Sequence, residues 1–163
     1  MTRQSALPSA SRQIFLIVGT FAAVGLALGV VSFVAADWAR TLFVTAATGS
    51  QPTTFGPVFV ALSVFQTTIT LFFAGPVVGS TLGLLSGSRF ADAGTAGLVA
   101  ATGTLVGFFV MAGAGLAGLS LLSGPGADQI YPLAGAVAPL LLAGAATAVS
   151  GGVAGTLGSL FVR

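Results

Sequence analysis

The side chains best suited to chemistry in this sequence form one short polar run inside an apolar segment. A single face of an α-helix is shared by the residues at i, i+3, i+4 and i+7 of this run, which are Ser63, Gln66, Thr67 and Thr70. A glutamine amide is costly to place in lipid, so this face should contact another helix or an aqueous path. One interpretation is a polar lining for a small solute or ion. The other is an interhelical hydrogen bond, worth about 0.6 kcal/mol on average.

Ionisable side chains are scarce elsewhere. The 163 residues include three aspartates and five arginines but no His, Cys, Glu or Lys, and the aspartates fall at the ends of apolar segments. This inventory offers no familiar metal-ligand set, no catalytic triad and no acid–base pair. It also places no carboxylate in mid-membrane, where one would mark a proton or ion relay. The sequence therefore predicts a protein that is not an enzyme and uses no metal or cofactor.

The elements that must position the polar run are membrane-spanning helices. The mean hydropathy is +1.07 and only 5% of residues are charged, against about 25% in a soluble domain. Apolar stretches longer than the ~20 residues needed to cross a bilayer predict an all-α polytopic protein with four transmembrane helices. The predicted spans are residues 14–36, 57–85, 93–122 and 134–162, after a polar tail at residues 1–13. A cleaved signal peptide is the alternative for the first span, but its 23 residues exceed a typical signal core.

The arginines predict the orientation in the membrane. Four of them fall on one side of the predicted topology, at Arg3, Arg12, Arg89 and Arg163, and only Arg40 falls on the other. The positive-inside rule then places both termini in the cytoplasm. Scattered arginines form no basic patch, so nucleic-acid binding is not indicated. Heavy use of Ala, Gly and Val without Lys suggests the cell membrane of a prokaryote.

Two pairs of segments resemble each other. Residues 19–31 share five of 13 residues with 97–109, at an offset of 78, and residues 77–85 share five of nine with 152–160, at an offset of 75. Both pairings keep the direction of the chain across the membrane. They predict two tandem helical hairpins related as a parallel repeat.

Small residues recur at helix-packing intervals in all four spans. Lipid tails are as apolar as Leu, so membrane helices associate through the close backbone approach that small residues allow. The predicted packing positions are Gly25, Gly29, Gly79, Gly83, Gly103, Gly107, Gly155 and Gly158. The alternative is that these faces let the helices slide or hinge.

Gly75 and Pro76 form a candidate helix break in the second span. Proline lacks an N–H, and its ring clashes with the carbonyl four residues earlier. The aligned place in the fourth span is Ser150-Gly151-Gly152, where Gly151 and Gly152 form a second candidate break. Paired interruptions are the best sequence indication of a transporter's midplane site. The alternative is that Gly and Pro are simply frequent in membrane helices.

Taken together, these patterns predict a non-catalytic membrane protein surrounded by the lipid bilayer. We expect it to pack through its small-residue faces and to form a homo-oligomer or join a larger membrane complex, as an accessory or structural subunit. The alternative is a small passive channel or transporter with a polar path along the second helix.

Overall fold

The computed structural model describes residues 6–42, 52–120, 135 and 137–161, and the regular structure in these ranges is helical. The helices are α1 (Ala6–Arg40), α2 (Pro52–Gly87), α3 (Ala93–Ser120) and α4 (Val137–Leu160). Each contains a stretch long and apolar enough to cross a membrane: Ala10–Ala35, Phe65–Gly87, Ala93–Gly118 and Val137–Leu160. The prediction of an all-helical protein with four such helices is confirmed, and these helices indicate a membrane location.

Two helices begin earlier than the apolar pattern indicates. α1 starts at Ala6, inside the predicted tail, and Ala10 packs against a small cluster of Phe90, Ala96 and Val99. α2 starts at Pro52, five residues before the predicted span, because proline is well tolerated in the first helical turn, where its missing N–H would have had no partner.

α1 and α3 run in the same direction, side by side. Residues further along α1 meet residues further along α3, in the pairs Ile17 with Gly103, Phe21 with Gly107 and Gly25 with Met111. α2 and α4 are also parallel to each other, through the pairs Gly75 with Thr147, Gly83 with Gly151 and Gly87 with Gly155. Helices that follow one another in the chain are therefore antiparallel, as four successive membrane crossings require.

The four helices form a parallelogram in cross-section. α3 packs against all three other helices and has the most buried span. α2 also packs against all three, whereas α1 and α4 have little or no contact with each other. α2 and α3 thus lie on the short diagonal, with α1 and α4 at opposite corners.

Large apolar side chains fill the centre of the bundle. Phe21, Leu71, Phe108 and Met111 are each at most 1% exposed and belong to one cluster from α1, α2 and α3. Among the described residues, the middle of the bundle is therefore closed by packed side chains.

The two ends of the bundle differ. The end that we call the terminal end holds the start of α1, the turn between α2 and α3, and the end of α4; there Ile14 packs near Phe90 and Gly158 lies on Leu84. Asp92 caps α3 at this end, because its Oδ2 accepts hydrogen bonds from the backbone N of Thr95 at 2.6 Å and from its Oγ1 at 2.7 Å. The other end, which we call the opposite end, holds the last turns of α1 and α3.

The contact register does not follow the repeat alignment. Residues of α1 and α3 that touch are 86 positions apart, as Gly103 is from Ile17, whereas the alignment pairs residues 78 positions apart. Eight residues of helix correspond to about 12 Å, so aligned residues of α1 and α3 lie at different heights. The tandem repeat stays a prediction.

Candidate functional site: the crevice between α1 and α2

The small residues predicted for packing lie inside the bundle. All eight are buried: Gly25, Gly29, Gly79, Gly83, Gly103, Gly107, Gly155 and Gly158. A Cβ added at Gly25 would lie 2.5 Å from the carbonyl oxygen of Met111, and one at Gly103 would lie 2.9 Å from Cδ1 of Ile17. These glycines therefore face other helices of the same chain.

The two parallel helix pairs use glycine differently. Between α1 and α3, glycines of α3 receive large side chains, since Gly107 faces the ring of Phe21. Between α2 and α4, backbone meets backbone, and a Cβ at Gly83 or Gly87 would contact the carbonyl of Gly151 or Gly155. Backbone also meets backbone where Gly25 of α1 approaches Met111. Substitution at Gly25, Gly83 or Gly87 should therefore be less tolerated than at Gly107, because a backbone carbonyl cannot move aside as a side chain can.

Both candidate break positions lie within continuous helix. α2 runs unbroken through Gly75 and Pro76, and α4 through Gly151 and Gly152. The carbonyl of Pro76 accepts hydrogen bonds from the hydroxyls of Ser80 at 2.8 Å and Ser150 at 3.4 Å. The structure thus places this stretch at a contact between α2 and α4.

Most hydroxyl groups in the described helices donate to a carbonyl three or four residues earlier in their own helix. Thr147, which is fully buried, donates to Ala143 O at 2.7 Å. Thr104, also fully buried, donates to Ala100 O at 2.8 Å and lies 3.3 Å from Thr147 O. Hydroxyls bound in this way satisfy the interior and are poorly placed to act as nucleophiles.

The polar face of α2 lies beside a lateral cleft at the opposite end. Gln66 and Thr70 are exposed and Thr67 is half-buried, whereas the side chain of Ser63 lies outside the described residues. Together with Ser32 and aliphatic residues of α1, these three α2 residues line a cleft of about 200 Å³ between α1 and α2. The hydroxyls of Thr70 and Ser32 donate to Gln66 O at 2.9 Å and Leu28 O at 2.6 Å. The Gln66 amide is therefore the group on this wall that can offer an N–H to a ligand.

A second cleft, of about 270 Å³, lies between the same two helices at the terminal end. Its polar lining includes Gln13, Ser86 and Arg89. Gln13 and Ser86 are buried, at 8% and 4% exposed, and Arg89 is exposed. The sequence pattern did not indicate this cleft, because Gln13 lies in the predicted polar tail. The available signal was that Gln13 lies one helical turn before Ile17, on the same face.

The two clefts occupy opposite ends of one crevice. Between them, Phe21 and Val24 of α1 belong to the same apolar cluster as Leu71 and Val78 of α2. Apolar side chains of this cluster therefore lie between the two clefts. The crevice is open to the side of the bundle and closed along its length.

Binding through donated hydrogen bonds and charge is the chemistry that this crevice offers. Across the described ranges, no group of three His, Cys, Asp or Glu side chains could hold a metal ion. No protein-family model matches the chain, and no curated protein or solved structure is found to be similar to it. Its function has to be inferred from the geometry of the bundle.

Proposed function

We propose that this protein is a non-catalytic integral membrane protein that works by association within the bilayer, as an accessory or structural subunit. The best support is that the buried hydroxyl groups of the described helices are already hydrogen-bonded within the bundle. Buried hydroxyls such as those of Thr104 and Thr147 donate to backbone carbonyls, and the centre is filled by Phe21, Phe108 and other apolar side chains. The surfaces of the described helices that remain available for interactions are their lipid-facing sides and the polar crevice between α1 and α2.

Self-association would have to use a surface other than the eight buried glycines. α1 presents Gly19, Ala23 and Ala27 on its exposed side, at intervals of four residues. A Cβ at Gly19 would have nothing within 4 Å. Small residues at this spacing allow a second helix to approach closely, so we place the contact with a second copy on this face of α1.

The test is the oligomeric state of the full chain reconstituted in lipid nanodiscs, measured by mass photometry. We expect Gly19→Leu combined with Ala23→Leu to convert an oligomer into a monomer. Gly113→Leu is the matched control, since Gly113 of α3 is equally exposed and also has nothing within 4 Å of an added Cβ. A monomeric wild-type protein, or equal effects of the two changes, would contradict self-association through α1.

The same proposal includes a tandem hairpin repeat and a fixed orientation. The matches of residues 19–31 with 97–109 and of residues 77–85 with 152–160 support a duplicated hairpin. The parallel course of α1 with α3, and of α2 with α4, is compatible with it. Arg12 and Arg89 at the terminal end support a cytoplasmic position for both termini, in the cell membrane of a prokaryote.

A small passive channel or transporter is the second candidate, and the crevice is the observation that favours it. Two clefts with polar linings lie at opposite ends of one helix pair, separated by an apolar block that includes Phe21 and Leu71. A parting of α1 from α2 would join the clefts into a path.

Solute and ion flux into proteoliposomes tests this second candidate. Gln66→Leu should abolish flux, whereas Thr81→Val, which removes an exposed hydroxyl of α2 that lines neither cleft, should leave it unchanged. Absence of flux, or flux indifferent to Gln66→Leu, rules the path out.

A further inference from the structure

We propose that the cleft at the terminal end binds an anionic phospholipid, with the phosphate between Gln13 and Arg89 and one acyl chain along the aliphatic wall below. The cleft holds about 270 Å³ and is bounded by α1 on one side and by α2 and its following turn on the other. This assignment goes beyond the proposed function and does not depend on it, because lipid binding in the cleft requires neither self-association nor transport.

Gln13 supplies the first observation. Its side chain is more than nine-tenths buried, at 8% exposed, and it lines the cleft. The described part of the structure shows no hydrogen bond to its amide, and no buried polar atom there is left unsatisfied, so the amide reaches the cleft itself. Because the amide is accessible from the cleft, its N–H groups can donate to a ligand oxygen that binds there.

Charge supplies the second observation. Arg89 stands on the facing wall of the cleft and is exposed, and within the described ranges no carboxylate pairs with its guanidinium. The nearest acid along the chain, Asp92, is engaged in capping α3 through Thr95. A guanidinium binds a phosphate through two parallel hydrogen bonds, and basic pockets between membrane helices are suited to anionic headgroups.

The order of polar and apolar groups indicates an amphiphile. Gln13 and Arg89 lie nearest the terminal end, and the wall below them is formed by Leu16, Leu82 and Leu85. Leu16 and Leu85 are more than half exposed, at 53% and 61%, so the wall is open to the surrounding lipid. From Gln13 to Thr20 the lining extends about 10 Å along α1, which suits a headgroup followed by the first part of a chain.

The serines of the cleft complete the polar rim without competing for the phosphate. Ser86 Oγ donates to Gly83 O at 3.2 Å and Ser88 Oγ donates to Leu85 O at 2.9 Å. Their protons are therefore already used within the end of α2. The N–H groups of Gln13 and Arg89 are the donors left for the ligand.

The cleft at the opposite end provides an internal comparison. It also lies between α1 and α2 and contains a glutamine, Gln66, but the described residues that line it include no arginine. If the charge of Arg89 and the buried amide of Gln13 determine binding, an anionic lipid should bind in the terminal-end cleft in preference to the cleft at the opposite end.

The experiment is native mass spectrometry of the full-length protein in detergent, titrated with phosphatidylglycerol or phosphatidylcholine of the same chain length. We expect phosphatidylglycerol to be retained preferentially, and Arg89→Gln to weaken its binding at least about tenfold. Gln13→Leu, which keeps the volume and removes the donor, should weaken it by a similar factor. Arg40→Gln is the matched control, because it removes the same charge from the far end of α1.

The results that would contradict lipid binding in this cleft differ from those that would support it. Equal retention of the two lipids, or equal effects of Arg89→Gln and Arg40→Gln, would overturn the proposal. Titration with glycerol phosphate distinguishes a lipid site from a simple anion site. If glycerol phosphate binds as tightly as the lipid, the acyl chain is not recognised and the assignment is overturned. Thermal unfolding of each variant without added lipid shows whether it is folded, and a phosphatidylglycerol-dependent rise in Tm that Arg89→Gln abolishes would support the site independently.

Discussion

Glycines of one helix differ in what an added methyl group would meet, and this difference determines what each contributes. Gly19 and Gly25 are both on α1, but a Cβ at Gly19 has open space, whereas one at Gly25 lies 2.5 Å from Met111 O and 2.7 Å from Met111 Cα. A backbone carbonyl and Cα cannot rotate out of the way. Gly25 is therefore required for the approach of α1 to α3, and Gly19 is not.

This contrast predicts opposite effects of the same substitution. Gly19→Ala should be neutral or stabilising by up to about 1 kcal/mol, because alanine has the higher helix propensity. Gly25→Ala gains the same propensity but forces α1 away from α3, and overpacking of this kind costs about 1–3 kcal/mol. Unfolding in mixed micelles with increasing SDS measures both. Equal stabilities of the two variants would show that α1 and α3 are not in this register.

α1 is attached to the bundle mainly through one face. Phe21 is fully buried against Gly107 of α3 and joins the central cluster, whereas Phe15, six residues earlier, is 78% exposed. On the side towards α2, a cleft lies at each end, and residues of the central cluster lie between the clefts. The seating of α1 should therefore depend on a few large side chains around Phe21.

Replacing a phenylalanine by alanine on the buried face of α1, and another on its exposed face, tests this dependence. Phe21→Ala should destabilise the bundle by about 3–5 kcal/mol, because it leaves a cavity between α1 and α3. Phe15→Ala should change stability by less than about 0.5 kcal/mol, since an exposed position away from the packed faces contributes little. SDS-induced unfolding again gives the free energies, and near-UV circular dichroism checks that the folded states are alike. A small effect of Phe21→Ala would place the main attachment of α1 elsewhere.

Hydropathy predicted the helices because lipid leaves the backbone few ways to satisfy its hydrogen bonds. It did not predict their polar ends, so the helical start of α1 and with it Gln13 were placed in a tail. Nor could it show which glycines face inwards, since Gly19 and Gly25 belong to the same small-residue pattern. The terminal-end cleft joins Gln13 to Arg89, 76 positions away, and only the antiparallel pairing of α1 with α2 brings them together.

Arginine is distributed unequally between the two ends of the bundle. Among the described residues, the terminal end has two arginines and Asp92, and the opposite end has one arginine and Asp37. Arg12 and Arg89 lie at the terminal end, while Arg40 ends α1 at the other, three residues after Asp37. An arginine excess in short loops keeps that side in the cytoplasm during insertion. The same asymmetry would hold the proposed phosphate site in the leaflet that carries anionic lipid in most cells.

Single cysteines give a direct measure of this orientation, because the natural chain contains none. Ser11→Cys and Ala91→Cys place a thiol on exposed positions at the terminal end, and Thr41→Cys places one on an exposed position at the opposite end. With a membrane-impermeant maleimide, we expect Thr41→Cys to react in intact cells and the other two to react only after the membrane is opened.

Both terminal-end thiols must behave alike, since an even number of crossings separates residue 11 from residue 91. The reverse pattern would invert the orientation, and disagreement between Ser11→Cys and Ala91→Cys would contradict the antiparallel pairing of α1 with α2 on which the crevice depends.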